Sequence, residues 1–564
     1  MLRRRRQQLR PSENSADRRN SIRVTALVGA VIVVAAVLRV YGLRWGLPSA
    51  THQYSYHPDE FLTVGAAFYS IYLARSFDPR FYNYPSLYLY LSALAMAVAL
   101  GYGASPDIYL FARVVTAITG VAAVAVTYWA GRTLLNEACG LVAACVLCIA
   151  PLHVQHSHFA TVDVPGTLFV AAALGYAGLV LKRGDLRDYL LGGAVAGLAA
   201  GTKYNAALVA LSLVAAHCLR SGGVPKSIAS WRLWAMLGCA VGAFVLSTPG
   251  SVLRTAEFAQ GVAYEMRHAA QGHGLVFAGT GNGFVYTFTN SLWYGLGPAI
   301  AILSLGAGVW ALFTRNRPML VVLALVVPYY ALISVSQVRF ARYALPMFPG
   351  LALLCGWMAV DVWSRLRSRR ARWLCRACVG VAGLAIIGTL CYTLALGRLF
   401  VLRSPQDRAA AWILGNLPKA SGIVFVDAPW FYSPPLSKNL GWGSLSQREQ
   451  AARDCDYKLT ILADVSDPDW WRTAPQPPAV VITTDYELGD ALRLRGDRSL
   501  RGDQARQLAS VLSKTDSILP AYPRRRIFRS PLRFCGLSFG STASLPHDMR
   551  YPAPTITLHY GRSK

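Results

Sequence analysis

The stretch YHPDEFLTVGAAFYSIY, residues 56–72, follows the first long hydrophobic segment of the chain and contains two adjacent carboxylates, Asp59 and Glu60. Pro58 favours the start of a helix, and an acid in the first helical turn is stabilised by the positive end of the helix dipole. The residues that follow are mainly apolar and aromatic. The stretch therefore predicts a short helix at a membrane surface, with two acids at its start. A carboxylate at such a boundary is well placed to take a proton from a hydroxyl group.

The composition indicates a membrane protein with a smaller soluble part. Of the 564 residues, 54% are hydrophobic and only 15% are charged, whereas soluble domains average about 25% charged residues. The formal net charge is +28. The basic residues form short runs between hydrophobic segments, which is the positive-inside pattern and argues against a nucleic-acid-binding domain.

Hydrophobic segments near the length of a membrane span occur along most of the chain, since a transmembrane helix needs about 20 mostly apolar residues. They predict a polytopic α-helical membrane protein with about eleven transmembrane helices. The predicted spans are 24–43, 109–131, 137–153, 163–181, 189–202, 204–219, 231–249, 291–313, 318–335, 343–363 and 374–396. The first span follows a basic tail, residues 1–23, and is longer than the apolar part of a usual signal peptide, so we expect an uncleaved anchor.

Loop charge then predicts the orientation. The basic residues Arg132, Lys182, Arg183, Arg187, Arg220, Lys226, Arg232, Arg315, Arg317, Arg365, Arg367, Arg369, Arg370 and Arg372 fall in alternate loops, together with the basic tail. These loops are therefore expected in the cytoplasm. If the apolar segment 84–101 were a span, the later basic loops would lie outside the cytoplasm. We therefore interpret this segment as an interfacial or re-entrant helix.

The same alternation of cytoplasmic and external loops predicts which parts of the chain face outward. Residues 44–108 form one large external loop, and residues 153–163, 250–290 and 336–343 are also external. Residues 24–396 make up the transmembrane domain. Residues 397–564 contain no further predicted span and are expected to fold as a small extracytoplasmic α/β domain, with strands at 422–427, 459–463 and 479–483 and a helix around 407–417.

Several charges fall at the predicted outer face. Charge at the centre of a membrane helix costs about 2.5–3.5 kcal/mol, so each position needs an explanation. Asp163 begins a predicted span and is either an N-cap or a site residue. Lys203 either extends its side chain to the interface or binds a phosphate. Arg339 and Arg342 run against the positive-inside trend, and arginine suits bidentate binding of an anion.

Three nearby histidines, His153, His156 and His158, raise the alternative of a metal site, with His57 and Asp163 as further ligands. Their H-x-x-H-x-H spacing matches no standard structural zinc pattern. We therefore predict no cofactor, and binding of a divalent metal stays the alternative.

These motifs, taken together, resemble the C-type membrane glycosyltransferases (GT-C fold), in the family 39-like branch of protein O-mannosyltransferases and the lipid A aminoarabinose transferase. The resemblance covers about the first 360 residues. It depends on His57-Pro58-Asp59-Glu60, Tyr84-Pro85-Ser86-Leu87, Ser157-His158 through Asp163-Val164-Pro165, Gly201-Thr202-Lys203 and Arg342-Tyr343-Ala344-Leu345-Pro346. The aminoarabinose branch has Glu-Lys before the proline, where this chain has Asn83-Tyr84.

The resemblance implies a sugar donor carried on a polyprenyl phosphate and used outside the cytoplasm. It implies that Asp59 is the general base, that Glu60 assists substrate placement and that Asp163 shapes the same pocket. Lys203, Arg342 and Tyr343 would hold the donor phosphate, with Arg339 as a second external cation. His57, Tyr84 and His158 are expected in the substrate pocket.

The predicted function is sugar transfer to an acceptor hydroxyl by a multi-pass protein of the inner or plasma membrane, as part of protein or lipid glycosylation in the cell envelope. The acceptor is not specified by the sequence. Because no dedicated nucleophile is visible, inversion at the anomeric carbon is expected. A transporter or flippase of lipid-linked glycans is the alternative, although inverted repeats typical of transporters are absent from the sequence. A non-catalytic membrane scaffold is a third possibility.

Overall fold

The computed structural model describes residues 11–103, 107–222, 224–366 and 372–561. Residues 1–10 of the predicted basic tail, and Arg367, Arg369 and Arg370 of the last basic loop, lie outside the described residues. The helices of the N-terminal two thirds are α1 (Pro11–Val40), α2 (Glu60–Gly65), α3 (Leu87–Gly101), α4 (Ile108–Leu134), α5 (Glu137–Ile149), α6 (Pro151–His156), α7 (Asp163–Lys182), α8 (Leu186–Ala200), α9 (Ala210–Ser221), α10 (Val224–Ile228), α11 (Trp231–Ser247), α12 (Gly250–Leu253), α13 (Thr255–Gln271), α14 (Gly283–Tyr286), α15 (Trp293–Leu296), α16 (Pro298–Thr314), α17 (Arg317–Val335), α18 (Phe348–Leu366) and α19 (Arg372–Leu399).

Each of the predicted spans contains a helix, but not all of these helices reach the length of a bilayer. Within the described residues, six helical segments are long and apolar enough to cross a membrane, and a seventh forms if the bent pair Gly283–Leu296 and Pro298–Thr314 is one span. The count of about eleven is therefore not confirmed. The difference arises where the chain breaks its helices, for example at the Pro151 that separates α5 from α6 and at Gly297 between α15 and α16.

The segment predicted to lie at the interface is a separate helix, α3. It has 15 residues, and at 1.5 Å per residue this length falls short of the roughly 30 Å hydrocarbon core of a bilayer. Leu94 and Val98 are exposed, while Tyr88 is buried and donates to the Ala112 carbonyl of α4. The helix thus covers α4 with one face, and its depth in a membrane stays a prediction.

Small residues set the packing between the long helices. A Cβ atom on Gly131 of α4 would lie 2.6 Å from the Cα of Gly140 of α5, so only glycine allows this approach. Close backbone contact at small residues is the usual basis of helix association in a membrane. Helix α4 packs against α5 and α7, and α5 packs against α18.

The C-terminal part is an α/β unit, and the three predicted strands and the predicted helix are confirmed. Its helices are α20 (Pro405–Asn416), α21 (Leu445–Arg453), α22 (Trp470–Thr473), α23 (Gly489–Arg493) and α24 (Gly502–Ile518). Its strands are β1 (Gly422–Phe425), β2 (Lys458–Ile461), β3 (Val480–Thr484), β4 (Arg524–Phe528), β5 (Pro531–Phe534), β6 (Leu537–Ser541) and β7 (Ile556–Tyr560).

The main sheet has the order β2-β1-β3-β7-β4, in which β1 pairs in parallel with β2 and β3, and β7 is antiparallel to β3 and β4. Alternate residues of β1 point to opposite faces. Ile423 therefore packs with Ile413 of α20, whereas Val424 packs with Ile518 of α24. Helices cover both faces of the sheet.

This unit is docked on the transmembrane helices. Leu532 of β5, Met549 and Ala553 are fully buried in the same apolar cluster as residues of α5, α7 and α18. Strand β5 also packs against α19. The segment around Met549 therefore packs against helices that include α7, which begins at the predicted site residue Asp163.

Candidate active site

Asp59 precedes the first residue of α2, as the Pro58-Asp59 pattern predicts, and its carbonyl accepts the backbone N–H groups of Leu62 and Thr63. Its side chain is mostly buried and lies 2.8 Å from the Arg342 guanidinium. Burial raises the pKa of Asp59, and this effect exceeds the opposing influence of Arg342. A carboxylate with a raised pKa is a stronger base than an ordinary aspartate once it is ionised.

Arg342 is held in place by the C-terminal domain. It lies in the 3₁₀ turn Ala341–Met347 that leads into α18. The Asp548 carboxylate accepts the backbone N–H groups of Ala341 and Arg342, at 3.0 and 2.8 Å, and the Tyr551 hydroxyl accepts the Arg342 guanidinium at 3.1 Å. One partner therefore fixes the backbone of this arginine and another its side chain.

A second ion pair joins Asp163, the first residue of α7, to Lys203, which follows α8. Both side chains are more than nine-tenths buried. The Lys203 ammonium lies 5.0 Å from the centre of the Tyr343 ring, and the Arg342 guanidinium lies 5.9 Å from the same ring. Two cations, each paired with its own aspartate, thus lie close to the Tyr343 ring.

A cavity of about 260 Å³ opens beside this cluster. Lys203, Tyr343 and Tyr84 line it on the side of the ion pairs. Its apolar lining residues belong to α13, to α17 and to the segment after Lys203: Tyr204, Val262, Met266, Ala269, Leu332 and Ile333. Its further polar lining residues are Asn83, Asn205, Glu265, His268 and Ser336. The cavity therefore joins an apolar surface to a buried ammonium group.

Sequence reasoning missed Glu265, which lies on α13 and lines the same cavity. Burial raises its pKa. The only signal in the sequence was an acidic residue among apolar residues in a predicted external stretch. Such acids are too common for this signal alone to identify a site residue. His268, one turn later, also lines the cavity.

Glu60 has a different environment from Asp59, its neighbour. Both of its carboxylate oxygens accept a hydrogen bond from the Arg113 guanidinium, each at 2.8 Å, and neither side chain is exposed. Glu60 also accepts the Ala160 backbone N–H at 2.6 Å and the Ser55 hydroxyl. Since these donors occupy the carboxylate, the contacts favour a positioning role for Glu60 over contact with a substrate.

Arg113 was not predicted, although a lone arginine within the predicted span 109–131 is a signal for a buried partner. It anchors three parts of the chain, because its guanidinium also donates to the Leu43 and Trp45 carbonyls, at 2.9 and 2.6 Å. The Glu60–Arg113 pair thereby fixes the start of α2, and with it Asp59, against α4 and the end of the first span.

The predicted histidines do not converge on one point. His153 contacts Arg39 at 2.9 Å, and both ring nitrogens of His158 contact backbone carbonyls, those of Val154 and Tyr41. His156 lies 3.8 Å from Asp548. Within the described ranges, no three His, Cys, Asp or Glu side chains are arranged to hold a metal ion.

The two remaining predicted site residues, His57 and Arg339, have different surroundings. His57 is buried against Phe159 and Tyr551, and burial lowers its pKa far below the usual value. Within the part of the chain that the structure describes, its Nε2 has no hydrogen-bond partner. The Arg339 guanidinium donates to Thr280 and Gly281, both at 2.8 Å. Arg339 thus contacts the loop after α13, and a direct contact with a donor phosphate stays a prediction for this residue.

The model of one family, described as dolichyl-phosphate-mannose-protein mannosyltransferase, matches residues 84–251. This segment includes the predicted motifs at Tyr84, at His158 through Asp163 and at Lys203. The motifs at Asp59 and Arg342 lie outside it. No curated protein matches the sequence.

Among solved structures, the chain is similar to ArnT from Cupriavidus metallidurans bound to undecaprenyl phosphate, with 16% identity, coverage of 85% of this chain and 95% of that chain, and a TM-score of 0.48. It is also similar to the Archaeoglobus fulgidus oligosaccharyltransferase tethered with an acceptor peptide, with 14% identity, coverage of 84% and 71%, and a TM-score of 0.46. The S. cerevisiae Pmt1-Pmt2 complex bound to the sugar donor matches with 21% identity, coverage of 43% and 34%, and a TM-score of 0.31. The resemblance that the motifs predicted is confirmed by the family match: over residues 84–251, the chain is similar to the dolichyl-phosphate-mannose-protein mannosyltransferases.

Proposed function

We propose that this protein is a membrane glycosyltransferase of the C-type fold that moves a sugar from a polyprenyl phosphate to an acceptor hydroxyl on the extracytoplasmic face. The observation that carries this proposal is the pair of aspartate–cation contacts, Asp59–Arg342 and Asp163–Lys203, both close to the Tyr343 ring. The family match over residues 84–251 supports it independently.

The adjoining cavity suits a lipid carrier. Its apolar wall accommodates the isoprenoid units nearest the headgroup, and Lys203 lies where the phosphate would follow. A lipid phosphate is already a good leaving group, so the reaction needs cations to neutralise its charge rather than an acid to protonate it. Lys203 and Arg342 supply these cations, and arginine can do so through two parallel hydrogen bonds.

Asp59 acts as the general base. It accepts the proton of the acceptor hydroxyl while the acceptor oxygen forms a bond to the anomeric carbon. The bond from that carbon to the phosphate oxygen breaks, and the polyprenyl phosphate leaves with the electron pair. Attack from the side opposite the phosphate inverts the anomeric centre, which anomer-resolved NMR of the product would test.

The direct test uses membranes that contain the full-length protein and radiolabelled polyprenyl-phosphate sugars, with mannose and aminoarabinose as the first two donors. We expect label to leave the lipid fraction and to enter a product that depends on the protein. The proposal is overturned if no polyprenyl-phosphate sugar loses its label, or if an Asp59→Asn variant transfers it at the full rate.

A further inference from the structure

A second cavity, of about 330 Å³, lies at the carboxyl ends of the parallel strands in the C-terminal domain. We call it the strand-end cavity. Its lining includes the residues that directly follow β1, β2 and β3, among them Asp427, Ala463 and Glu487. Strand β1 lies between β2 and β3. The chain therefore continues from β1 to β2 on one side and then crosses to β3 on the other side, so the strand order reverses at β1. In open α/β sheets, ligands bind at this reversal of strand order.

The strand-end cavity contains a buried ammonium group. Lys514 of α24 is only 9% exposed, and its Nζ donates to the Ala463 carbonyl at 2.9 Å. No ion pair found among the described residues includes this lysine. An ammonium has three donors, so donors remain available to a ligand in the cavity.

Acceptors and rings face the same space. Asp490 accepts a hydrogen bond from Arg493 through Oδ1 at 3.0 Å, while its Oδ2 is buried and has no hydrogen-bond partner among the described residues. Glu487 accepts the Asp427 backbone N–H at 3.2 Å. The Tyr432 and Tyr486 rings, which stack with centres 5.4 Å apart, complete the wall.

This mixture points to a hydroxyl-rich ligand. A hydroxyl both donates and accepts, so a sugar ring can satisfy the Lys514 ammonium and the Asp490 carboxylate together. Tyrosine offers an apolar face and a polar edge to such a ring. A phosphate would meet the carboxylates of Asp427, Glu487 and Asp490 against a single ammonium, which disfavours a dianion.

The cavity is linked to the candidate active site through two ring contacts. His273, from the loop after α13, lines the cavity, and its ring centre lies 5.6 Å from that of Phe340. The Arg342 guanidinium lies 4.5 Å from the same Phe340 ring. A molecule seated in the strand-end cavity therefore contacts a loop that packs on the segment carrying Arg342.

We propose that the strand-end cavity binds a neutral saccharide unit of the acceptor, so that the acceptor is a glycan or a molecule that already carries one. The assignment of this sugar to the acceptor rests on the transferase function proposed above, whereas saccharide binding itself does not. The contacts supply recognition only, and the reacting hydroxyl is the one presented to Asp59.

The test measures binding of the methyl glycosides of D-mannose, D-glucose, D-galactose and D-arabinose to the purified full-length protein by saturation-transfer NMR and calorimetry. We expect at least one of them to bind, and Lys514→Met and Asp490→Asn to weaken its binding at least tenfold. Gln507→Ala, at an exposed position on the cavity wall, should weaken binding without a risk to folding. Lys419→Met is the matched control, because Lys419 is an exposed lysine of the same domain.

Binding that is unchanged in all three cavity variants overturns the proposal, as does the absence of glycoside binding in a preparation that still transfers sugar from the donor. Displacement of the bound glycoside by millimolar inorganic phosphate also overturns it. The Asp59→Asn variant should bind the glycoside normally. If a glycoside binds but only acceptors without a sugar are modified, the cavity is a saccharide site and its role in acceptor recognition is overturned.

Discussion

The Arg342 guanidinium lies 2.8 Å from the Asp59 carboxylate, so the candidate base and the candidate phosphate ligand are partners of each other. A donor phosphate that accepts hydrogen bonds from Arg342 competes with Asp59 for the same donors. If Arg342 binds the donor phosphate, we expect donor binding to weaken the contact that lowers the pKa of Asp59 and so to make this carboxylate a stronger base.

Substitution of Asp59 by asparagine should lower the transfer rate by about 10²–10⁴-fold, the usual contribution of general-base catalysis. The donor KM should change much less, because the cations remain. Initial rates with a labelled donor would measure both parameters. Asp78→Asn is the matched control, since Asp78 lies in the same loop, has a similarly exposed side chain and pairs with Arg254 at 3.2 Å. Equal losses in the two variants would contradict the role of Asp59.

The pH dependence of transfer tests the same residue. Asp59 must be ionised to accept a proton, so activity falls as the pH drops through its pKa, and burial places that pKa above the ordinary value of about 3.9. Asp163 contributes a negative charge that also raises the pKa of Asp59. Asp163→Asn should therefore shift the acidic limb of the kcat/KM profile to lower pH. An unchanged limb, or a shift to higher pH, would contradict this coupling.

The fold was largely predictable from the sequence where a regular pattern sets the structure. Long apolar runs predicted the helices, and the short β-branched runs at Val424 and Val481 predicted β1 and β3. Strand β4, with the sequence RRRIF, was missed because its residues are mainly basic and exposed, and it is defined by pairing with β7. Edge strands of this kind have little hydrophobic pattern of their own.

The sequence indicated the members of the candidate site but not how they pair. Asp59, Asp163, Lys203 and Arg342 were chosen from the sequence, and the structure brings them together around Tyr343. Asp548 and Tyr551 were missed because they lie far away in the sequence, in a segment that reads as an ordinary loop. Their proximity to Arg342 depends on how the C-terminal domain packs against the membrane helices. No local sequence pattern predicts that packing.

The Lys203 ammonium should contribute chiefly to donor binding. A hydrogen bond to a charged group contributes about 1.5–3 kcal/mol, so Lys203→Met should raise the donor KM by roughly 10–150-fold. Lys203→Arg should restore part of this loss. Lys182→Met, at the exposed opposite end of α7, is the control and should leave KM unchanged. A fall in kcat alone would place Lys203 outside the phosphate site.

The Glu60–Arg113 pair should matter for stability. Removal of one partner leaves a fully buried charge unpaired, which costs about 3–5 kcal/mol. Glu60→Gln should therefore lower the free energy of unfolding by about this amount, measured in detergent with a folding-sensitive fluorophore. Glu137→Gln breaks the exposed Arg132–Glu137 pair and should cost less than about 1 kcal/mol. Comparable destabilisation by the two substitutions would argue against the anchoring role of the buried pair.

Asp548 should affect catalysis through Arg342 although it belongs to the C-terminal domain. Its two carboxylate oxygens accept the backbone N–H groups of Ala341 and Arg342, and an asparagine side chain has only one oxygen to offer. One buried N–H group then loses its acceptor, at a cost of about 1–3 kcal/mol. Because the turn that carries Arg342 shifts, Asp548→Asn should raise the donor KM by roughly tenfold or more. The acidic limb of the pH profile should still follow the ionisation of Asp59. Asp456→Asn removes an exposed carboxylate of the same domain and should leave KM unchanged. A variant with wild-type KM and reduced thermal stability would mean that Asp548 holds the two domains together without positioning Arg342.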